Sequence, residues 1–353
     1  MNYFPIYLDS AAMHPVLPCA REAFLNAPFG NPSSEHQTGR EARNALEFAR
    51  EKIAALMDCE TTGNVYFTST ATEAAALVSY SLAKNGIGIV ADATEHHAVS
   101  ENEDVFPYEP EGCWPGICAA RMYANNETGA LITERPDISD YQSHWLCDAT
   151  AAVGHMPVSF RALGCDYLIA DAIKFGGVPG AAFLIAKTGA PLSPLIRGGG
   201  QERGMRSGTE NVPAICAMAA ALEWQKRNMD RNTEHISGLK MRLYELLSEI
   251  KNHQWNTPLT KPHVHHILNI SFDGVDAHAL SMILSKDGVM VSPGAACSNG
   301  KNEPSHVIMA MFHDEARARS AIRISLSHEN TADEIQIASE KIKNAVAYLR
   351  SIA

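Results

Sequence analysis

Several groups able to do chemistry fall at the ends of short apolar runs in this chain. Thr72 follows Val65-Tyr66-Phe67 and opens an alanine-rich stretch. Asn125-Asn126 follow Arg121-Met122-Tyr123-Ala124, Asp148 follows Trp145-Leu146-Cys147, and Lys174 lies just past Tyr167-Leu168-Ile169-Ala170, before Gly176-Gly177. If these runs are strands of a parallel sheet, all of these groups lie where such sheets bind ligands, beyond the carboxyl ends. A helix beginning near Thr72 offers N–H groups and a hydroxyl to an anion. An amine, a carboxylate and a helix N-terminus together suit pyridoxal 5'-phosphate. The helix end holds the phosphate, Asp148 keeps the pyridine nitrogen protonated, and Lys174 forms a Schiff base. Nucleotide chemistry fits less well. No Gly-x-Gly-x-x-Gly follows a strand, and Gly294–Lys301 has the wrong spacing for a P-loop, with Asn302 where Ser or Thr is needed.

The elements that must position these groups alternate between two periods. Residues 40–57 place Ala42, Ala45, Leu46, Ala49, Ile53, Leu56 and Met57 on one helical stripe. Further strands are expected at Gly88-Ile89-Val90 and Ala182-Phe183-Leu184-Ile185, which with the runs above predict a mainly parallel sheet covered on both faces. Residues 211–251 read as one or two long helices, with a break near Asn228-Met229-Asp230. Beyond them the style changes. Ile267–Phe272 and Ile322–Leu326 alternate with period two, as strands buried on one face do, and a last helix from Asp333 to about Ile352 covers them. The fold class read here is α/β, a large domain followed by a smaller α+β domain.

The net charge of -11 argues against a broad surface for nucleic acid or anionic membrane. No apolar run approaches the ~18–20 residues of a membrane span, and Met1–Ile6 lacks the basic and apolar regions of a signal peptide, so a cytoplasmic location is expected. The eight cysteines show no Cys-x-x-Cys spacing and no zinc-ligand cluster with histidine. No metal is expected, and most of the thiols read as reduced core residues. Cys297 differs, because Ser292–Lys301 is a Gly/Ala/Ser/Asn-rich loop suited to exposure and movement.

The run Gly198-Gly199-Gly200-Gln201-Glu202-Arg203-Gly204-Met205-Arg206-Ser207-Gly208-Thr209 resembles the signature of the cysteine desulfurases, fold-type-I pyridoxal-phosphate enzymes of the NifS/IscS branch of the class V aminotransferases. The resemblance extends in family order through Tyr7–Ala12, Gly30–Ser34 with His36 and Gly39, Ala71-Thr72-Glu73, Thr94-Glu95-His96, Asn125–Gly129, Asp148-Ala149-Thr150 and Lys174–Gly177. It closes with Gly294–Ser298, Glu303–Val307 and Ile322–Leu326. It implies a large cofactor-binding domain over 14–231 and a small domain from 1–13 and 232–353. Lys174 would carry the cofactor and move the Cα proton, Asp148 would pair with the pyridine nitrogen, and His96 would stack on the ring and assist proton transfer. Ala71 and Thr72 would bind phosphate, joined by Thr209 from the other subunit of a homodimer with shared active sites. Asn126 would touch the phenolic oxygen or the substrate carboxylate, with Asn31 also on the substrate side. Arg323 would clamp that carboxylate, and Cys297 would take the sulfur of L-cysteine as a persulfide for an acceptor protein, such as an iron–sulfur scaffold or a thiolation enzyme. The strand pattern agrees for Arg323, since Ile322, Ile324 and Leu326 share one face and leave the guanidinium on the other.

Three positions depart from the family at the cofactor. Ala151 replaces a Gln, Asp171 a phosphate-binding Ser, and Ile173 a His that also meets the phosphate, while the stretch between His96 and Asn125 is shortened. A carboxylate near a dianionic phosphate is electrostatically costly. The cofactor is therefore expected to be lost more readily than in typical members of the family, unless Asp171 points away toward a donor in the Gly176-Gly177 turn or is neutralised by Arg203 or Arg206 of the partner subunit. The activity expected is conversion of L-cysteine to L-alanine. The alternatives are a selenocysteine lyase-like enzyme and a non-catalytic dimeric scaffold in a sulfur-relay complex.

Overall fold

A computed structural model describes residues 5–103, 116–132, 134, 136, 143–294 and 303–352. In chain order the elements are β1 (Ile6–Tyr7), α1 (Pro18–Leu25), α2 (Gln37–Leu56), β2 (Val65–Thr68), α3 (Ala71–Lys84), β3 (Ile87–Ala91) and α4 (His97–Glu103). Then come β4 (Gly116–Met122), β5 (Ser143–Asp148), α5 (Phe160–Leu163), β6 (Tyr167–Asp171), β7 (Ala182–Ala186) and α6 (Val212–Ser248). The last are β8 (His253–Trp255), β9 (Ile267–Phe272), α7 (Ala277–Lys286), β10 (Val289–Met290), β11 (Ser292–Pro293), α8 (His306–Phe312), α9 (Glu315–Arg319), β12 (Ala321–Ser325) and α10 (Ala332–Ile352). They fall into two compact units, Pro15–Tyr123 with Ile132–Arg227, and Met1–His14 with Ala124–Leu131 and Asn228–Ala353.

The first unit carries a six-stranded sheet in the order β2-β7-β6-β5-β4-β3. Strands β3 to β6 are parallel, whereas β7 runs antiparallel to both β6 and β2, so the sheet is mixed. The reason is the connection: residues 172–181 are too few for the crossover that a parallel neighbour requires. Period-two alternation sends Trp145, Cys147, Leu168, Ala170 and Phe183 into a core with α2 and the start of α6. It sends Leu146, Tyr167, Ile169 and Leu184 to the opposite face, under α3. Burial of both faces explains why these strands read as continuous apolar runs. The strand expected at Arg121–Ala124 is β4, ending at Met122, its limits set by pairing with β3 and β5. The helix over Val212–Ser248 has no break near Asn228-Met229-Asp230.

The second unit holds an antiparallel sheet, β11-β12-β9-β8, and a parallel pair, β1 with β10. Its alternation is real, but the expectation of one buried face is overturned, since every residue of β9 and β12 is buried. Ile270, Phe272, Ile322 and Ile324 pack with α7 and α10 in the apolar core. On the other face Asn269, Ser271, Arg323 and Ser325 are buried too, and hydrogen bonds make this tolerable. Asn256 Nδ2 donates to Asn269 Oδ1 at 2.7 Å and to Ser271 Oγ at 2.8 Å, and Ser325 Oγ accepts from the Ala11 N–H at 2.9 Å. Among the described residues no helix is long and apolar enough to cross a membrane.

Candidate active site

In the first unit Asp148 ends β5 and Asp171 ends β6, on adjacent parallel strands. Thr150 donates its N–H to Asp148 Oδ1 at 2.8 Å, fixing the carboxylate at the strand end. Asp171 caps a short 3-10 turn, Ala172–Lys174, with its Oδ1 accepting from the Ile173 N–H at 3.2 Å. The backbone of Lys174 is held as well, because His155 Nε2 lies 2.9 Å from its carbonyl oxygen. The next residue, Phe175, is fully buried, and its carbonyl accepts from Gln225 Nε2 at 3.2 Å. Gly177 lets the turn close, since a Cβ there would lie 2.7 Å from that of Ala172.

Helix α3 begins opposite this turn. Thr70 is its N-cap, Oγ1 accepting from the Glu73 N–H at 3.1 Å. The Ala71 N–H donates to Asp171 Oδ2 at 3.0 Å. Thr72 is exposed, and its N–H and hydroxyl have no partner among the described residues. Asp171 therefore does not turn toward Gly176-Gly177; its carboxylate sits on the first amide of the helix. Arg206 lies near this end of α3, paired with Glu73 at 2.7 Å and donating to Ser69 Oγ at 2.7 Å. Arg203 is engaged elsewhere, with its guanidinium 4.3 Å from the centre of the Tyr66 ring and a hydrogen bond to the Val65 carbonyl at 2.5 Å.

His96 directly precedes α4 and accepts the Ala98 N–H on Nδ1 at 3.0 Å, which leaves the proton of a neutral ring on Nε2. Its neighbour Glu95 is buried, with Oε1 accepting from the Met122 N–H at the end of β4. Burial, reinforced by the Asp148 charge, holds the Glu95 carboxyl well above the usual carboxylate range. Glu95 was visible in the sequence only as part of Thr94-Glu95-His96. Its burial beside Asp148 follows from strand order, which no local pattern displays.

The glycine-rich segment is anchored by a buried pair absent from the sequence reading. Glu202, itself at φ 46°, accepts from Arg50 at 2.7 and 2.8 Å and from the Phe67 N–H at 2.8 Å. Thr209 follows on an exposed stretch. Asn31 is exposed too, its Oδ1 accepting from the Ser33 N–H at 2.9 Å just before α2. Ala151 and Ile173 are half-buried, and neither side chain carries a hydrogen-bonding group for the cofactor.

In the second unit Arg323 on β12 is 2% exposed, so its charge requires partners. Nη2 pairs with Asp9 Oδ1 at 2.9 Å, and Nη1 donates to the Asn126 carbonyl at 2.9 Å. The buried Nε has no partner among the described residues. Asn126 sits in a tight turn organised by Asn125, whose Oδ1 accepts from the Glu127 N–H at 3.0 Å and the Thr128 N–H at 2.8 Å. Cys297, with Ser298 and Lys301, lies outside the described residues. Of the six described thiols, Cys118, Cys147 and Cys165 are buried and none is in a disulfide. Burial pushes the Cys59 thiol up to about 12 and raises Cys19, Cys118 and Cys216. Cys147 is raised by its hydrogen bond with Cys165 and by burial.

Residues 6–103 and 118–337 match the family Aminotransferase class-V, and the chain belongs to that family. The break at 104–117 falls within the stretch read as shortened. Within the family the relatives are cysteine desulfurases. Cysteine desulfurase IscS of Dictyoglomus turgidum is 34% identical over 380 residues, covering 99% of this chain and 96% of that protein. A cysteine desulfurase of Enterobacter agglomerans is 33% identical over 378 residues, covering 99% and 94%. A NifS-like protein from Rickettsia africae superposes with a TM-score of 0.88 at 28% identity, covering 97% of this chain and 99% of that one. The α/β architecture with its mixed, helix-flanked sheet is that of the NifS-like fold-type-I structures.

Proposed function

We propose that this chain is a pyridoxal-phosphate-dependent cysteine desulfurase that converts L-cysteine to L-alanine and leaves the sulfur on Cys297 as a persulfide. Asp148, Lys174 and the start of α3, brought to the ends of adjacent strands in a chain matched along its length by cysteine desulfurases, carry the reading. The residues present fit the cofactor at its amine and ring positions, and at the phosphate end Thr72 offers a free amide and hydroxyl. Bound there, pyridoxal 5'-phosphate supplies the electron sink that stabilises negative charge at the substrate Cα.

The chain's own groups do the rest. Lys174 would hold the cofactor and move the Cα proton, Asp148 would pair with its pyridine nitrogen, and His96 would stack on its ring and assist proton transfer. Thr72 and, in a homodimer, Thr209 of the other subunit would take the phosphate, joined by the Ala71 N–H only where Asp171 yields it. Arg323 receives the substrate carboxylate, for which it has a spare Nε donor, and Asn126 and Asn31 complete the substrate side. The Cys297 thiolate attacks the substrate sulfur. The S–S bond forms as the Cβ–S bond breaks, and a proton returned to the three-carbon product yields alanine. Cys297 is the thiol suited to this step, because raised thiols such as Cys59 and Cys118 stay protonated near neutrality. The persulfide passes to an acceptor protein with its own nucleophilic thiol.

Incubation with L-cysteine should give alanine and a persulfide mapped by mass spectrometry to Cys297. Cys297→Ser should keep the yellow cofactor and lose the persulfide, and Lys174→Ala should lose both. Persulfide formation at the wild-type rate in Cys297→Ser refutes the nucleophile assignment. No alanine from the wild type returns the chain to a scaffold role.

A further inference from the structure

We propose that Asp171 acts as an internal anion in the phosphate cradle of α3, so that a phosphate-bearing cofactor binds there only as Asp171 takes up a proton. The inference rests on the cofactor reading above and deepens it. Three observations carry it. Asp171 Oδ2 accepts from the Ala71 N–H at 3.0 Å, the first amide of a helix of 14 residues. Oδ1 is committed to the Ile173 N–H at 3.2 Å, so both oxygens are fixed and the carboxylate is not free to swing aside. The Thr72 amide and hydroxyl, next in the same cradle, remain without a partner among the described residues, which leaves the cradle half filled.

The surrounding charges decide what happens when phosphate arrives. Lys174 faces Asp171 from its own turn and favours the charged form; Asp148, from β5, opposes it. Strand β7 contributes only apolar residues. Glu73 in the first turn of α3 is already neutralised by Arg206. No unpaired arginine among these groups stands ready to offset a dianion beside a carboxylate. Burial already holds the Asp171 carboxyl above its ordinary value, and a dianion at hydrogen-bond range raises it further. Once protonated, the same carboxyl turns from competitor to donor and supplies the hydroxyl that a serine would. The sign follows from linkage. Uptake of one proton makes affinity rise as pH falls, up to tenfold per pH unit, until the phosphate itself protonates near pH 6.

The test compares the full-length wild type with Asp171→Asn and Asp171→Ser, using pyridoxal 5'-phosphate, pyridoxal and inorganic phosphate as probes from pH 6.5 to 8.5. Equilibrium dialysis gives affinity, and calorimetry in buffers of different ionisation enthalpy gives the protons taken up. At pH 8 both variants should bind pyridoxal 5'-phosphate about 10- to 100-fold more tightly than wild type, converting to about 1.4 kcal/mol per factor of ten. Wild type should take up close to one proton more per phosphate bound than either variant, and pyridoxal should not distinguish the three proteins. Equal affinity and equal proton uptake for the phosphate probes overturn the proposal. If pyridoxal 5'-phosphate binds none of the three, the cofactor reading fails, and the inorganic phosphate series still decides whether Asp171 guards the cradle. Circular dichroism of each variant excludes misfolding as the cause of a change.

Discussion

Two groups proposed to bind anions in this chain each meet one of its own aspartates. In the second unit Asp9 pairs with Arg323; in the first, Asp171 sits on the N-terminus of α3. The chemistry of the donor separates the two cases. A guanidinium has five N–H groups and a permanent charge, so with Asp9 and the Asn126 carbonyl in place the buried Nε–H still has no partner among the described residues. A helix end has partial charges and single amides, so a carboxylate on Ala71 consumes part of the site itself. On the proposed reading, Asp9 supports an anion site, whereas Asp171 occupies one.

The contrast can be broken first at Arg323. Arg323→Gln should lower kcat/KM for L-cysteine on the order of a hundredfold or more, about 3 kcal/mol, because a buried charge-assisted contact to the substrate is lost. Dialysis should show cofactor affinity unchanged. A loss of cofactor affinity as large as the loss in kcat/KM would erase the separation of roles.

The second test is Asp9→Asn. The amide keeps an acceptor for Nη2 but leaves the arginine charge unbalanced, so stability to urea should fall by about 1–2 kcal/mol. KM for L-cysteine should change less than threefold, since Nε remains available. A tenfold fall in KM would instead make Asp9 an occupant like Asp171.

The smallest effect concerns protons. The buried Glu95 carboxyl in the first unit is the group concerned. Glu95, raised by burial, binds its proton in the native state at pH values where the unfolded chain has released it. Its contribution to stability is therefore full below the ordinary carboxylate range and is lost as pH rises toward the raised value. Unfolding free energies from urea titrations at pH 5 to 7 should fall with a slope of at most about 1.4 kcal/mol per pH unit for this group. Glu95→Gln should flatten that slope, and an unchanged slope would place the titration elsewhere.

These outcomes divide what local pattern reveals from what folding creates. Lys174, Asp148, Thr72 and Arg323 were legible because each stands at a fixed offset from an apolar run, and the run itself encodes a strand or helix. The family motifs carried the cysteine desulfurase reading along the chain. The strand alternation around Arg323 was also legible, but its meaning was not. A polar face looks the same in sequence whether it meets water or, as with Asn269 and Ser271, a buried hydrogen-bond network.

The sequence by itself determined which elements form and which chemical groups end them, because periodicity and turn residues act over a few positions. Only the tertiary structure decided that β7 turns antiparallel, that Glu202 locks Arg50 beneath the glycine-rich segment, that Glu95 is buried near Asp148, and that Asp171 rests on Ala71. Apart from the β6–β7 turn, each depends on residues 27 to 152 positions apart, brought together by strand order and packing. Hydrogen bonding and charge act through distance in space, and the linear chain does not encode that distance locally.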